Sequence, residues 1–373
     1  MKTRTKQPFL LIAKTIFGSV CVLMLGMHFL SAQNIAVWED NQQHLWVFDN
    51  GVAQQIEYLP VSGYKVGGNY LIYEDTRNNT VYYRHGQKQT LHTAKFLDQY
   101  TVTRFYAITE VANVLSVIDD KRLETISLEP KPVNDQYFVY GDSIVAFVDY
   151  DNFLKVYDKG KLRELEKFTV QNWKASNNSF AFCDNADIFH FYHGGNTETV
   201  DWDLPQDYKV GSDFLLYINQ FGEFYLFDEG NNTMLDNFAP QSFACGNSVA
   251  AWVDYQNIFY IWDNGNLEEV LPNPPKYYQV FDNTIMYLDD LGQLYVYWRG
   301  QHHLLSPYPP KSTQMYEGIV AYEDERGYLK GFYEGETVNF STQIAASYKL
   351  FGRVLLYDTN HRNYQLYFEG KTY

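Results

Sequence analysis

Only three cysteines occur in 373 residues, too few for the disulfide scaffolds that hold small secreted domains together. Cys21 sits in an apolar N-terminal stretch, and Cys183 and Cys245 fall in strand-like apolar contexts where they read as buried free thiols. Cationic residues are scarce as well: 29 Lys and Arg against 45 Asp and Glu give a formal charge of −16. A surface of that sign repels nucleic acid and anionic lipid, and favours solubility or cationic partners. Catalytic signatures are missing too. There is no Gly-x-Ser-x-Gly elbow, no phosphate-cradling glycine loop and no Cys-x-x-Cys. The close histidines, His302 with His303 and His190 with His193, come without an acid at zinc-ligand spacing, so they read as hairpin residues and no metal is expected. Nothing in the sequence names a cofactor or a catalytic residue.

An apolar run of bilayer length is also lacking. Lys2, Arg4, Lys6 and Lys14 lead into an uncharged stretch of 16 residues, Thr15 to Leu30, that ends in Ser31-Ala32-Gln33. This is short for a membrane crossing and has the basic start and small-residue end of a secretory signal cut near Ala32. Residues 1–32 are therefore read as the signal and 33–373 as one exported domain, periplasmic or extracellular, with no stable membrane insertion after cleavage. Losing the four cations takes the formal charge from −16 to −20. Cys21 follows Val20, where lipidation would require a small residue, so no lipid anchor is expected.

What the chain does have is a period. Gly51, Gly86, Gly160, Gly195, Gly230, Gly265, Gly300, Gly335 and Gly370 are spaced by 35 residues, except that Gly86 to Gly160 covers two steps plus an insertion of four, with Lys121 in the unmarked repeat. A strict period of this length means a stacked or circular array of one supersecondary unit. Within the unit from Asn247 to Asp282, four short β-branched and aromatic runs are separated by turn residues: A at Ser248–Asp254, B at Ile258–Asp263, C at Leu267–Leu271 and D at Tyr277–Phe281. These read as strands rather than helices. Asn264-Gly265 and Asn50-Gly51 supply the positive φ angles of a two-residue hairpin between B and C.

Strand A carries an aromatic at Trp38, Tyr73, Phe147, Phe182, Tyr217, Trp252, Tyr287, Tyr322 and Tyr357, and strand B does so at Phe48, Tyr83, Tyr157, Tyr192, Phe227, Trp262, Tyr297, Phe332 and Tyr367. Large rings at one point of every unit suit face-to-face packing of neighbouring sheets. Every proline after residue 32 lies between C and D, which marks that segment as the longer connection because proline cannot donate to a ladder. Sheets ordered D-A-B-C with a C-to-D crossover are the blades of a β-propeller. The expected fold is thus all-β, a propeller of about eight to ten four-stranded blades. Eight are expected complete, with incomplete sheets at both ends, the last stopping at Lys371-Thr372-Tyr373 before C can form. The run Asn283 to Tyr297 resembles the blade rhythm of TolB-like and quinoprotein-type propellers, and that resemblance implies the fold without a substrate.

The end of strand A repeats an acid: Asp40, Asp75, Glu110, Asp149, Asp184, Asp254, Asp289 and Asp324, with Asn219 in the sixth unit and Asp358 one place early in the tenth. Two readings stand side by side. The acids are Asx-type turn residues that accept backbone N–H groups, or they form a ring of carboxylates that draws a cationic ligand. In an up-and-down meander the A-B and C-D connections share one end, so the acids and the proline loops share a face, along with Tyr277, Tyr278 and Tyr308. The eight acids and these three tyrosines are the candidate ligand-binding residues. The expected function is a non-enzymatic, exported binding or scaffolding module for a protein or an extracellular glycan. The alternative is a glycan-active hydrolase or lyase that assembles carboxylates from several blades.

Overall fold

Strand A of each unit is apolar on both faces, and the structure shows why. In blade 8, A spans Thr284–Leu288. Its residues alternate, so Ile285 and Tyr287 pack against Val249, Ala251 and Phe259 of blade 7. Met286 and Leu288 point the other way, onto Val320, Tyr322 and Phe332 of blade 9. One strand therefore serves two interfaces, as the period-2 geometry of a strand requires when both sides of the sheet are covered. The strand-A aromatics other than Trp38 are all buried, which places them in the inter-blade core.

The computed structural model describes residues 35–68, 70–93, 99–119, 123–166, 170–359 and 363–373. The signal expected in residues 1–32 and the Lys121 position lie outside these described residues. The described residues form ten antiparallel sheets, nine of them four-stranded in the order D-A-B-C. The first has only A (Ile35–Glu39), B (Leu45–Asp49) and C (Val52–Glu57). The tenth corrects an expectation. After the turn at Gly370, Lys371–Thr372 forms a short strand C, and Tyr373 and Leu366 exchange both backbone hydrogen bonds, at 2.8 and 3.1 Å. Two residues suffice there because the hairpin turn already fixes the register. That turn is of the same kind in the nine blades whose B-C turn is described: Asn50 and Gly51, for example, have φ of 48° and 90°, the positive pair that a type I′ hairpin demands.

Neighbouring D strands approach one another closely, whereas C strands do not, so D lines the centre and C the rim. Among the described residues the ring closes without a shared sheet. Phe48 of blade 1 meets Phe368 and Tyr373 of blade 10 edge-on, with centroids 5.7 and 5.1 Å apart, within a cluster that includes Ala36, Val354 and Leu356. The array is a closed propeller of ten blades.

Candidate functional site

The repeated acids sit in the A-B turns and are held by them. Asp40 Oδ1 accepts the N–H groups of Gln42 and His44 at 2.8 and 3.0 Å, and Asp184, Asp254 and Asp324 do the same for the residues two and four places on. Asp75 follows this pattern, and Asp289 accepts the N–H of Gln293. In several turns the second oxygen is taken by the strand-B residue six places on. Trp46 Nε1 donates to Asp40, Lys155 Nζ to Asp149, His190 sits 3.2 Å from Asp184 and Lys330 Nζ 2.8 Å from Asp324. Burial pushes the Asp40 carboxyl up, but Trp46, the turn N–H groups and His44 together outweigh it and hold the pKa at about 2. Glu110 differs. Blade 3 makes its A-B connection with the two-residue turn Ala112–Asn113, so Glu110 remains inside the strand and accepts a hydrogen bond from Gln99 Nε2 at 2.5 Å. These carboxylates are thus engaged with their own turns and strands.

Tyr277 and Tyr278 open strand D of blade 8 and wedge between inner strands: Tyr278 Oη donates to Ser242 Oγ at 2.9 Å and Tyr277 Oη lies 3.3 Å from Thr313 Oγ1. Tyr308, in the C-D connection of the same blade, is 62% exposed. The structure brings it together with Asp324 across a cleft of about 620 Å³ between blades 8 and 9, lined also by Pro309, Arg326, Lys330 and Asn339.

One departure from the repeat opens this cleft, and a second lies beside it. Blades 6, 7 and 8 stack a strand-B tyrosine on the strand-A aromatic, pairing Tyr225 with Tyr217, Tyr260 with Trp252 and Tyr295 with Tyr287. Blade 9 has Lys330 at that position, beside Tyr322. The next residue, Gly331, stands where other blades carry Val296, Ile261 or Leu226. A Cβ on Gly331 would lie 1.8 Å from the carbonyl oxygen of Val320, so only glycine permits this close approach. With the ring gone, space opens at the blade 8 boundary, whereas the Gly331 position, paired with Ala321, faces blade 10 as Val296 of blade 8 faces blade 9. Tyr322 Oη, donating to the Leu305 carbonyl at 2.8 Å, ties the two blades together at the edge of the cleft. An exposed aromatic ring, the Arg326 guanidinium and the Asn339 amide offer a stacking surface with flanking donors, a combination suited to a hydroxylated or anionic ligand. Among the described residues, no group of three His, Cys, Asp or Glu side chains is disposed to hold a metal.

One residue that the period did not reveal occupies the opposite end of the channel. Arg104, in the D-A turn of blade 3, reaches Asp282 of blade 8 at 2.5 Å, Glu317 of blade 9 at 3.3 Å and Asp142 of blade 4 at 3.5 Å. Its side chain is 7% exposed and that of Asp282 is 2%. Burial drives the Asp282 pKa up to about 7 against the downward pull of Arg104, and burial likewise raises that of Asp142. For Arg104 itself burial acts downward, but the carboxylates outweigh it and keep the guanidinium charged. The cluster draws the D-A turns together across the axis at that end.

A family model described as the 10-bladed beta propeller domain matches residues 29–373. No curated protein matches the chain. Among solved structures, the computationally designed protein Ika8 shares 12% identity over 74% of this chain and 96% of its own, with a TM-score of 0.33. The CRINKLY WD40 ectodomain of the Arabidopsis thaliana receptor kinase ACR4 shares 8% over 61% of this chain and 93% of its own, with a TM-score of 0.36. PorZ, a surface component of the type-IX secretion system of Porphyromonas gingivalis, shares 11% over 92% of this chain and 59% of its own, with a TM-score of 0.29. Among the described residues no helix is long and apolar enough to cross a membrane.

Proposed function

The chain belongs to the 10-bladed beta propeller domain family, and from that premise we propose that it is an exported, non-enzymatic binding or scaffolding module whose partner is a protein or an extracellular glycan. The observation that supports this reading is the cleft between blades 8 and 9. It lies on the face of the proline loops and holds an exposed tyrosine, a guanidinium with no partner among the described residues, a carboxylate, Asp324, already paired with Lys330, and a second, solvent-exposed carboxylate, Glu325. Of the two partner classes, the cleft fits an acidic glycan: a sugar ring would stack on Tyr308 and its carboxylate would pair with Arg326.

The test is a panel of neutral and uronate-bearing polysaccharides titrated against the full chain. Replacing Tyr308 and Arg326 together with alanine is expected to weaken binding at least about tenfold, which corresponds to about 1.4 kcal/mol. The melting temperature should stay within a degree, because both side chains are exposed surface groups. Unchanged binding would remove the cleft from consideration. Release of reducing ends or unsaturated products would instead favour the hydrolase or lyase reading.

A further inference from the structure

Among the described residues, strand A of blade 1, Ile35–Glu39, is paired along one edge only; in the other nine blades the second edge of A carries strand D. Those blades show what the edge accepts. Gln241, Lys276 and Ala346, at the heads of their D strands, donate N–H groups to the carbonyls of Val253, Leu288 and Asp358 at 2.8, 2.8 and 2.7 Å. Glu39 is the corresponding residue in blade 1, and among the described residues its carbonyl receives no such bond. Beside it lies a cleft of about 380 Å³ bounded by Val37, Trp38 and Glu39, by Tyr64 of blade 2, and by Ser347 and Lys349 of blade 10.

Two side chains on the blade 10 wall repeat positions that elsewhere bind a neighbouring strand D. Ser242 and Ser312 each meet the hydroxyl of a tyrosine in the next blade's D strand, Tyr278 at 2.9 Å and Tyr348 at 3.0 Å. Ser347 is the next serine of that series and has no such tyrosine among the described residues. Lys174 Nζ and Gln314 Nε2 each donate to a backbone carbonyl of the next D strand, Tyr208 and Tyr348, at 3.0 Å. Lys349 holds the same register, and its ammonium lies over the ring of Phe351, 4.6 Å from the centroid.

We propose that this cleft is a strand-acceptor site, in which an extended segment of a partner polypeptide completes blade 1 as its fourth strand, antiparallel to Ile35–Glu39, with a tyrosine hydroxyl on Ser347 and a backbone carbonyl on Lys349. Strand addition at a free sheet edge takes its affinity from the main chain and its selectivity from the flanking side-chain pockets. The complementarity calls for a tyrosine from outside this chain's own leading residues. The residue one period before Tyr64 is Phe29, which carries no hydroxyl.

A labelled peptide with the sequence of Ala346–Phe351, itself a tyrosine-bearing D strand, serves as the probe and is titrated into the full chain by fluorescence anisotropy. Saturable binding is expected, about tenfold weaker when the peptide tyrosine is alanine. Ser347→Ala and Lys349→Met should each weaken it several-fold, the effect of one lost hydrogen bond. The amides of Val37 and Glu39 should gain hydrogen-exchange protection only when peptide is present. Absence of saturable binding overturns the proposal. So does protection of those amides without peptide, whether the chain's own N-terminal residues or a second copy, detectable by sedimentation, fills the edge.

Discussion

Replacing Arg104 with methionine is expected to destabilise the propeller by about 3–5 kcal/mol, the range for removing one partner of a buried ion pair. Methionine keeps most of the stem volume, so the loss is that of the charge rather than of packing. Three carboxyl groups converge on this guanidinium, and in its absence Asp282 and Asp142 lie beside each other, desolvated and without a cation. They must then repel one another or take up protons. The pH dependence follows from the pKa of Asp282, which burial raises to about 7 from the 3.8 of a free aspartate. Between those values the folded state holds a proton that the unfolded chain has released, so the stabilisation from this group is complete below about 4 and lost as pH rises through 7. The deficit of Arg104→Met relative to the parent should therefore be largest near pH 8 and shrink toward pH 5, as read from urea midpoints. Adding Asp282→Asn to the variant should recover part of the loss at pH 8. A deficit under about 1 kcal/mol at pH 8 would mean that water, rather than Arg104, solvates these acids.

That cluster shows where a periodic sequence stops being readable. Blades follow from local chemistry: the Asn-Gly turns, the aromatic at one point of A and B, and the prolines confined to one connection all act within a few residues of their own position. Arg104 acts over 178 residues to Asp282 and 213 to Glu317, a distance in sequence that no repeat unit encodes. Half of the signal was present. Asp142, Asn177, Ser212, Asn247, Asp282 and Glu317 recur every 35 residues in the D-A turns, and Ser212, Asn247 and Asp282 are linked side chain to side chain at 2.8 and 2.9 Å. A polar ladder could have been read from that period, but the cation across the axis could not.

The acids of the A-B turns were legible for the complementary reason. A carboxylate two and four residues before the N–H groups it accepts is a local motif, and it repeats wherever the turn has the same length. Glu110 fits the spacing yet sits in a two-residue turn, a difference that the acid's identity does not disclose. The cleft between blades 8 and 9 was written in an exception, Lys330, and an exception carries meaning only once the fold shows what the regular residue does. Tyr277 and Tyr278 share a composition cue with Tyr308, but they lie within a paired strand whereas Tyr308 lies in a loop. Burial separates them where composition does not.

Truncating Phe48 to alanine tests whether the ring is closed by packing alone. Phe48 is fully buried and its ring is edge-on to both Phe368 and Tyr373 of blade 10. Among the described residues no backbone ladder joins the first and last sheets, so side chains carry the seam between them. A buried Phe→Ala replacement costs about 3–5 kcal/mol. Phe332→Ala supplies the control, since Phe332 is equally buried and meets Trp298 across an ordinary interface between consecutive blades. The two losses of stability should be similar, but the chain connects blades 8 and 9 and does not connect blades 1 and 10. Opening at the seam is therefore unrestrained by a covalent link, and Phe48→Ala should speed hydrogen exchange at Ala36 and Leu366 far below the global unfolding threshold, whereas Phe332→Ala should not do so at Val296 and Val320. Equal protection in both variants would show that the seam opens only with the whole ring, and a cost under about 1 kcal/mol for Phe48→Ala would show that blades 1 and 10 do not bear on each other.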